Sequence, residues 1–121
     1  MHTASPVGRE PKNHDLMIKP AVDGVVNVLK AASKHKVKRV VITSSIAAIC
    51  SQKPEGDPHR YSEEHWTDLD VVSFSAYSKS KTLAERAAWN FHETAGDGAH
   101  IPEIVTIAPS WVLGEAIGSG A

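Results

Sequence analysis

Tyr77 and Lys81 stand four positions apart in the run Tyr77-Ser78-Lys79-Ser80-Lys81, whose surroundings suit a helix. On a helix both side chains emerge on one face, one turn from each other. An ammonium beside a phenol favours the phenolate, and draws a tyrosine pKa from roughly 10 toward the working range of an acid–base catalyst. The isolated pair is a weak signal, because nine lysines in 121 residues make a chance Tyr-x-x-x-Lys common. A solvated lysine next to a half-buried core tyrosine explains it at least as well. Ser44 and Ser45, which follow the short β-branched run Arg39-Val40-Val41-Ile42-Thr43, would add hydroxyl donors if the fold brought them to the same place.

The elements that could do so are legible in outline. From about Asp15 to His35 the apolar residues Leu16, Ile18, Val22, Val25, Val26, Leu29 and Ala32 recur at helical spacing, with Pro20 expected to kink or delimit the first turn. Lys34, His35 and Lys36 suit a helix C-terminus. The run 39–43 then predicts a strand buried on both faces of a parallel sheet. Residues 46–72 have no clear period and contain Pro54, Gly56 and Pro58, which predicts a long loop. A second helix starts at Ser73 or Ser75 and runs toward Gly96, and Ile104-Val105-Thr106-Ile107-Ala108 predicts a second strand halted by Pro109. Helix, strand, helix, strand is half of a doubly wound α/β sheet, and in such sheets ligands bind beyond the carboxyl ends of the strands. That rim is where Ser44-Ser45 and Pro109-Ser110 fall.

Composition removes several classes of function. Thirteen basic against fourteen acidic side chains give a formal net charge of −1, so no global field favours nucleic acid or an anionic membrane. A single cysteine, Cys50, allows no intramolecular disulfide and fits a reducing, cytoplasmic setting. No apolar run approaches the roughly 18 residues of a membrane helix, and the polar start lacks the pattern of an export signal. The seven histidines show no zinc-type spacing: His92-Glu93 is not continued as His-Glu-x-x-His, and His59 to His65 with Glu63 and Glu64 reads as a polar loop. No metal site is expected. Ser45 lacks a Gly-x-Ser-x-Gly frame, against a serine hydrolase. Trp66, Trp89 and Trp111 are scattered as core or pocket anchors would be, and Cys50 reads as a small buried apolar residue.

Taken together and in order, three segments carry a resemblance. Val40-Val41-Ile42-Thr43-Ser44-Ser45, then Tyr77-Ser78-Lys79-Ser80-Lys81-Thr82-Leu83-Ala84-Glu85, then Ala108-Pro109-Ser110-Trp111-Val112-Leu113-Gly114 resemble the extended short-chain dehydrogenase/reductases of the NAD-dependent epimerase/dehydratase superfamily. The likeness is closest to the dihydroflavonol reductase-like aldehyde and ketone reductases, whose openings are also similar to His2-Thr3-Ala4-Ser5-Pro6. It implies an α/β fold, a truncated Rossmann-type doubly wound parallel sheet in three α/β/α layers. Residues 1–121 would form the central-to-C-terminal part of one NAD(P)-binding domain, with no second domain. It also implies an NADP-dependent oxidoreductase, with NAD left open, that interconverts a small carbonyl compound and an alcohol, and a homodimer as one open assembly. Tyr77 would donate the proton to the substrate oxygen, Lys81 would bind the nicotinamide ribose and tune the tyrosine, and Ser45, with Ser44 the runner-up, would hydrogen-bond the substrate oxygen. Ala4, Ser5, Thr43, Ser44, Pro109 and Val112 would join Tyr77 and Lys81 around the cofactor, and the loop 46–72 would help wall the substrate pocket.

The sequence also departs from that family. No Gly-x-x-Gly-x-x-Gly turn for the pyrophosphate occurs; Gly114, Gly118 and Gly120 have the wrong spacing and follow the catalytic helix. By the resemblance the chain starts where the family's fourth strand is finishing, so a sheet of two strands with a remnant at the start should leave strand faces and an edge exposed. Gly114-Glu115 stands where Gly-Pro is usual, and Trp111 is bulkier than usual. The alternative reading is therefore a catalytically silent remnant, a binding or interaction module that keeps the Tyr-Lys helix without holding a dinucleotide.

Overall fold

Five consecutive residues with three β-branched aliphatics or threonine at their end leave little choice but an extended chain, and Arg39–Thr43 forms the first strand, β1, over the predicted range. The computed structural model describes residues 1–50, 61–73, 75–94, 96 and 98–114. In chain order the elements are helix α1 (Asp15–Lys34), β1, a short 3-10 turn at Ile46–Ala48, helix α2 (Ala76–Thr94) and strand β2 (Glu103–Ile107). Pro54, Gly56, Pro58 and His59, together with Glu115, Gly118 and Gly120, lie outside the described residues.

β1 and β2 run parallel, with Arg39 opposite Glu103 and Thr43 opposite Ile107. Arg39 Nε donates to Glu103 Oε2 at 2.8 Å, so the outermost facing pair is matched in charge. β2 thus begins one residue earlier than the apolar run suggests: Glu103 belongs to the strand because its partner is across the sheet, and Ala108 lies outside it. On the other edge of β1, His2 N donates to Val41 O at 2.7 Å and Thr43 N to His2 O at 2.9 Å, a single bridge in which the chain's start continues the sheet.

Both helices pack on one face of this sheet. Val40, Ile42 and Ile104 join Val25, Leu29 and Ala32 of α1 and Ala88 of α2 in one buried cluster. The opposite face, carrying Val41, Thr43 and Val105, is only half-buried, so β1 is buried on one face rather than both. The described residues therefore supply one helical layer and the sheet of the expected three-layer plan. The buried stripe of α1 is Met17, Ala21, Val25, Leu29 and Ala32, spaced by four and three, whereas Leu16 is 70% exposed. The helix runs through Pro20, whose missing N–H would have bonded the carbonyl of Leu16, on the solvent side.

The end of α1 is closed by a paired-bond stop: Val37 N donates to Ala32 O at 2.9 Å and Lys36 N to Ser33 O at 3.1 Å. That geometry puts Lys36 at φ 52°, a left-handed conformation that disfavours a Cβ. α2 is opened by Ser75, whose Oγ accepts the N–H of Ser78 at 3.1 Å, while Gly98 at φ 83°, rather than Gly96, takes the left-handed position in the turn that follows.

Two substitutions check this account. Leu29 is fully buried, so Leu29→Ala should destabilise the chain by about 2–5 kcal/mol. Lys36→Gly should stabilise it by about 0.5–1 kcal/mol, the relief of left-handed strain less the added freedom of the unfolded chain. Thermal unfolding followed by circular dichroism reads both, and a Lys36→Gly midpoint below that of the parent would contradict the strained stop.

Candidate functional site at the carboxyl ends of the strands

Because parallel strands end together, the rim beyond Thr43 and Ile107 collects the segments that leave both. Ser44 N donates to Ile107 O at 2.8 Å and Ile46 N to Pro109 O at 3.0 Å, so the pairing continues past the strands and aligns Ser44-Ser45-Ile46 with Ala108-Pro109. Ser45 is extended and opens the 3-10 turn, its Oγ accepting the N–H of Ala47 at 3.2 Å. That bond uses an oxygen lone pair and leaves the hydroxyl proton of Ser45 without an acceptor among the described residues.

All the sequence-predicted site residues fall on two neighbouring recesses. Ser45, Tyr77, Pro109 and Val112 line the larger, of about 840 Å³, together with Ile46, Cys50 and Trp111. Ala4, Ser5, Thr43, Ser44 and Lys81 line the smaller, of about 310 Å³. Tyr77 and Lys81, one turn apart on one face of α2, line the larger and the smaller recess respectively, and the Lys81 Nζ lies 5.8 Å from the centre of the Tyr77 ring. Lys81 is 7% exposed, and its Nζ reaches the carbonyl oxygen of Thr43 at 3.5 Å. No carboxylate pairs with it within ion-pair distance among the described residues. Burial disfavours its charged form and lowers its pKa from the usual 10.5. His2, on the same recess, is lowered by burial first and then by the Lys81 charge and the chain's amino terminus.

Several residues that hold this site together were not singled out from the sequence. Glu85, one turn beyond Lys81, is buried and accepts a hydrogen bond from Ser44 Oγ. Tyr77, Lys81 and Glu85 are spaced by four, a one-face pattern that could have revealed it. Glu10 Oε1 accepts the N–H of Ala76 at 2.6 Å, capping α2 from 66 residues away, and His14 Nε2 lies 3.2 Å from the same oxygen. Thr67 donates its N–H to Ala48 O and its Oγ1 to Ala47 O, both at 2.8 Å, which pins the loop beside Ser45. The contacts of Glu10, His14 and Thr67 have no local sequence signal.

Other expectations shift. Cys50 is half-buried on the larger recess rather than buried in the core, and burial raises its thiol pKa, which keeps it a poor nucleophile. Trp111 is 88% exposed at the mouth of that recess, and Trp66 lies on the surface with the Arg86 guanidinium 5.2 Å from its ring centre. No described helix is long and apolar enough to cross a membrane.

Two parallel strands joined through α2 form part of a Rossmann-type α/β fold, as in the solved relatives. The chain belongs to the 3-beta hydroxysteroid dehydrogenase/isomerase family, which matches residues 1–116. It is 39% identical to an anthocyanidin reductase ((2S)-flavan-3-ol-forming) of Vitis vinifera over 98% of this chain and 36% of that protein. It is 38% identical to dihydroflavonol 4-reductase of Gerbera hybrida over 98% of this chain and 32% of that one, in keeping with the resemblance to dihydroflavonol reductases. Among solved structures it superposes on yeast methylglyoxal/isovaleraldehyde reductase Gre2 complexed with NADPH, with a TM-score of 0.77 and 32% identity over 93% of this chain and 36% of that chain. The chain thus spans about a third of the length of these relatives.

The buried ammonium sets a sign for pH. A lysine whose pKa falls on folding holds fewer protons folded than unfolded, so stability rises with pH between its lowered value and 10.5. Below that window the cost of the buried charge is present in full. Lys81→Met should therefore raise the melting temperature at pH 7, with the gain shrinking as the pH approaches 10.5. Melting curves of both proteins at pH 7 and in the alkaline range check it; a fall at pH 7 would contradict a net cost for the ammonium.

Proposed function

We propose that this chain carries the catalytic helix and strand rim of an NADPH-dependent reductase that converts a small aldehyde or ketone to an alcohol, or runs the reverse. The observation that supports it most is the convergence of Ser45 and Tyr77 on one recess with the Lys81 ammonium one turn along the same face of α2. The relatives' names agree in kind: anthocyanidin reductase, dihydroflavonol 4-reductase, and a Gre2 reductase complexed with NADPH.

The residues fit the ribose end of a nicotinamide dinucleotide. Lys81 has three donors and a single carbonyl acceptor at 3.5 Å, which leaves donors for ribose hydroxyls, and Ala4 and Ser5 are small enough to let a ribose approach. When bound, that cofactor supplies the hydride. Ser45 donates a hydrogen bond from its uncommitted hydroxyl to the substrate oxygen, on which charge develops, and keeps its proton. Tyr77 transfers its phenolic proton to that oxygen, and Lys81 stabilises the phenolate left behind while holding the ribose. Ser44 contributes no hydroxyl proton, since Glu85 takes it. Pro109 and Val112 shape the wall of the larger recess, where the substrate would sit.

The silent-module reading is favoured by a different observation: the sequence has no Gly-x-x-Gly-x-x-Gly turn for the pyrophosphate. Titration of the folded 121-residue chain with NADPH and NADH, followed by cofactor fluorescence, separates the two. Saturable binding that is lost in Lys81→Ala is the expected result, with carbonyl reduction lowered about a hundredfold or more in Tyr77→Phe, the upper range for one acid–base group. A folded chain that binds neither dinucleotide would overturn the reductase reading for this chain and leave the silent module.

A further inference from the structure

The 3-10 turn that Ser45 opens has unequal ends. Its start is closed by its own bonds: Ala48 N donates to Ser45 O and Ile49 N to Ile46 O, both at 2.9 Å. The carbonyls of Ala47 and Ala48 point out of the far end, where a helical turn leaves its last acceptors without partners of its own. Thr67 satisfies both. Its N–H donates to Ala48 O and its Oγ1 to Ala47 O, each at 2.8 Å, from a fully buried position. On the other side, Ile46 N is held by Pro109 O at 3.0 Å. The turn is thus fixed at its start by the chain leaving β2 and at its end by one threonine.

The consequence reaches the Ser45 side chain through Ala47. The residue whose carbonyl Thr67 holds is also the residue whose N–H donates to Ser45 Oγ, at 3.2 Å. That bond selects one of the three staggered positions open to a serine side chain, on the recess that Ser45 lines with Tyr77. Thr67 is itself seated against α2. The Arg86 guanidinium lies 5.2 Å from the ring centre of Trp66, the residue before it, and Ser75 N donates to Val72 O at 2.9 Å where the same segment enters α2.

We propose that Thr67 is a positioning residue for Ser45: by holding the Ala47 and Ala48 carbonyls it fixes the turn that seats Ser45 Oγ against the Ala47 amide and keeps the hydroxyl on the recess shared with Tyr77. The use of that hydroxyl rests on the reductase reading; the bonds that seat it do not.

The test has two arms, both on the full 121-residue chain. Amide hydrogen exchange in the free protein reads the seat. Thr67→Val keeps the size and the backbone bond to Ala48 but removes the hydroxyl donor. Exchange at Ala47 should then quicken about five- to tenfold relative to Leu29 in the core, the equivalent of one ordinary hydrogen bond, and Thr67→Ser should restore it. Steady-state reduction of butanal with NADPH reads the use of the seat. Thr67→Val should lower kcat about tenfold with little change in KM, and that loss should vanish in a Ser45→Ala background, where nothing is left to position. A general weakening of the fold costs the same factor in both backgrounds, and that result overturns the proposal. So does an Ala47 exchange rate unchanged in Thr67→Val. Where Thr67→Val fails to fold, Thr67→Cys answers with a small side chain and a weak donor: exchange at Ala47 must still quicken, and the parental rate overturns the claim. A parent chain that binds no NADPH sinks the reductase reading, while exchange at Ala47 still decides the role of Thr67.

Discussion

Everything at the rim depends on how one helix is held against the ends of two parallel strands. Lys81 reaches the Thr43 carbonyl and Glu85 takes the Ser44 hydroxyl, so two successive turns of α2 grip two successive residues of the chain leaving β1. Ser44 is in turn bonded through its N–H to Ile107 of β2. Moving α2 by one residue would break both grips at once and rotate Tyr77 off the larger recess. The polar contacts are therefore a register device: apolar packing of Ala88 against Val40, Ile42 and Ile104 fixes that the helix lies on the sheet, but small and β-branched surfaces alone tolerate sliding. Directional bonds to strand-end atoms do not.

The same junction explains why the site is divided. A side chain four residues along a helix lies about 6 Å further along the axis, enough for Tyr77 to line the larger recess and Lys81 the smaller while the ammonium stays 5.8 Å from the phenol ring. One side is walled by the segments that follow the strands, Ile46 and Pro109 among them, and the other by the chain's start at Ala4 and Ser5. Two adjoining recesses with Tyr77 and Lys81 one turn apart between them are the arrangement on which the proposed two-ligand reading rests.

How much of this a sequence can disclose follows from how local each cause is. β1 was legible to the residue because its signal is its own β-branched composition, and the placement of Ser45, Tyr77 and Lys81 around the strand ends was legible because Ser45 follows β1 directly and the other two open the helix that follows. β2 was displaced by one, since the membership of Glu103 is decided by Arg39 on the other strand. On α1 the periodicity was right but the face was offset: Leu16 is solvent-exposed while Met17 and Ala21 are buried, because the helix's contact side is chosen by α2 and the sheet rather than by the most hydrophobic side chains. Glu10, Thr67 and Glu85 were missed for the same reason. Each acts on a backbone group or side chain 20 to 66 residues away, and a polar residue in a loop looks alike whether or not it caps something distant.

Family membership and site geometry then bear on different halves of the proposed ligand. The hydroxyl and ammonium donors lie within these 121 residues, gathered by two strands and a helix. The pyrophosphate end of a dinucleotide calls for backbone amides converging at a helix N-terminus, and the glycine spacing that would build such a turn is missing from the sequence. Orientation of the reacting atoms and gross affinity for the cofactor are separable quantities, because only the first requires groups at the reacting centre, while the second draws on contacts remote from it. The buried Lys81 ammonium, with the desolvation it imposes, and the Ser44–Glu85 contact beside it are the costly features of this rim. An uncharged side chain such as methionine would fill the position of Lys81 without the desolvation cost, and that cost is the physical ground on which the proposed reading of the rim rests.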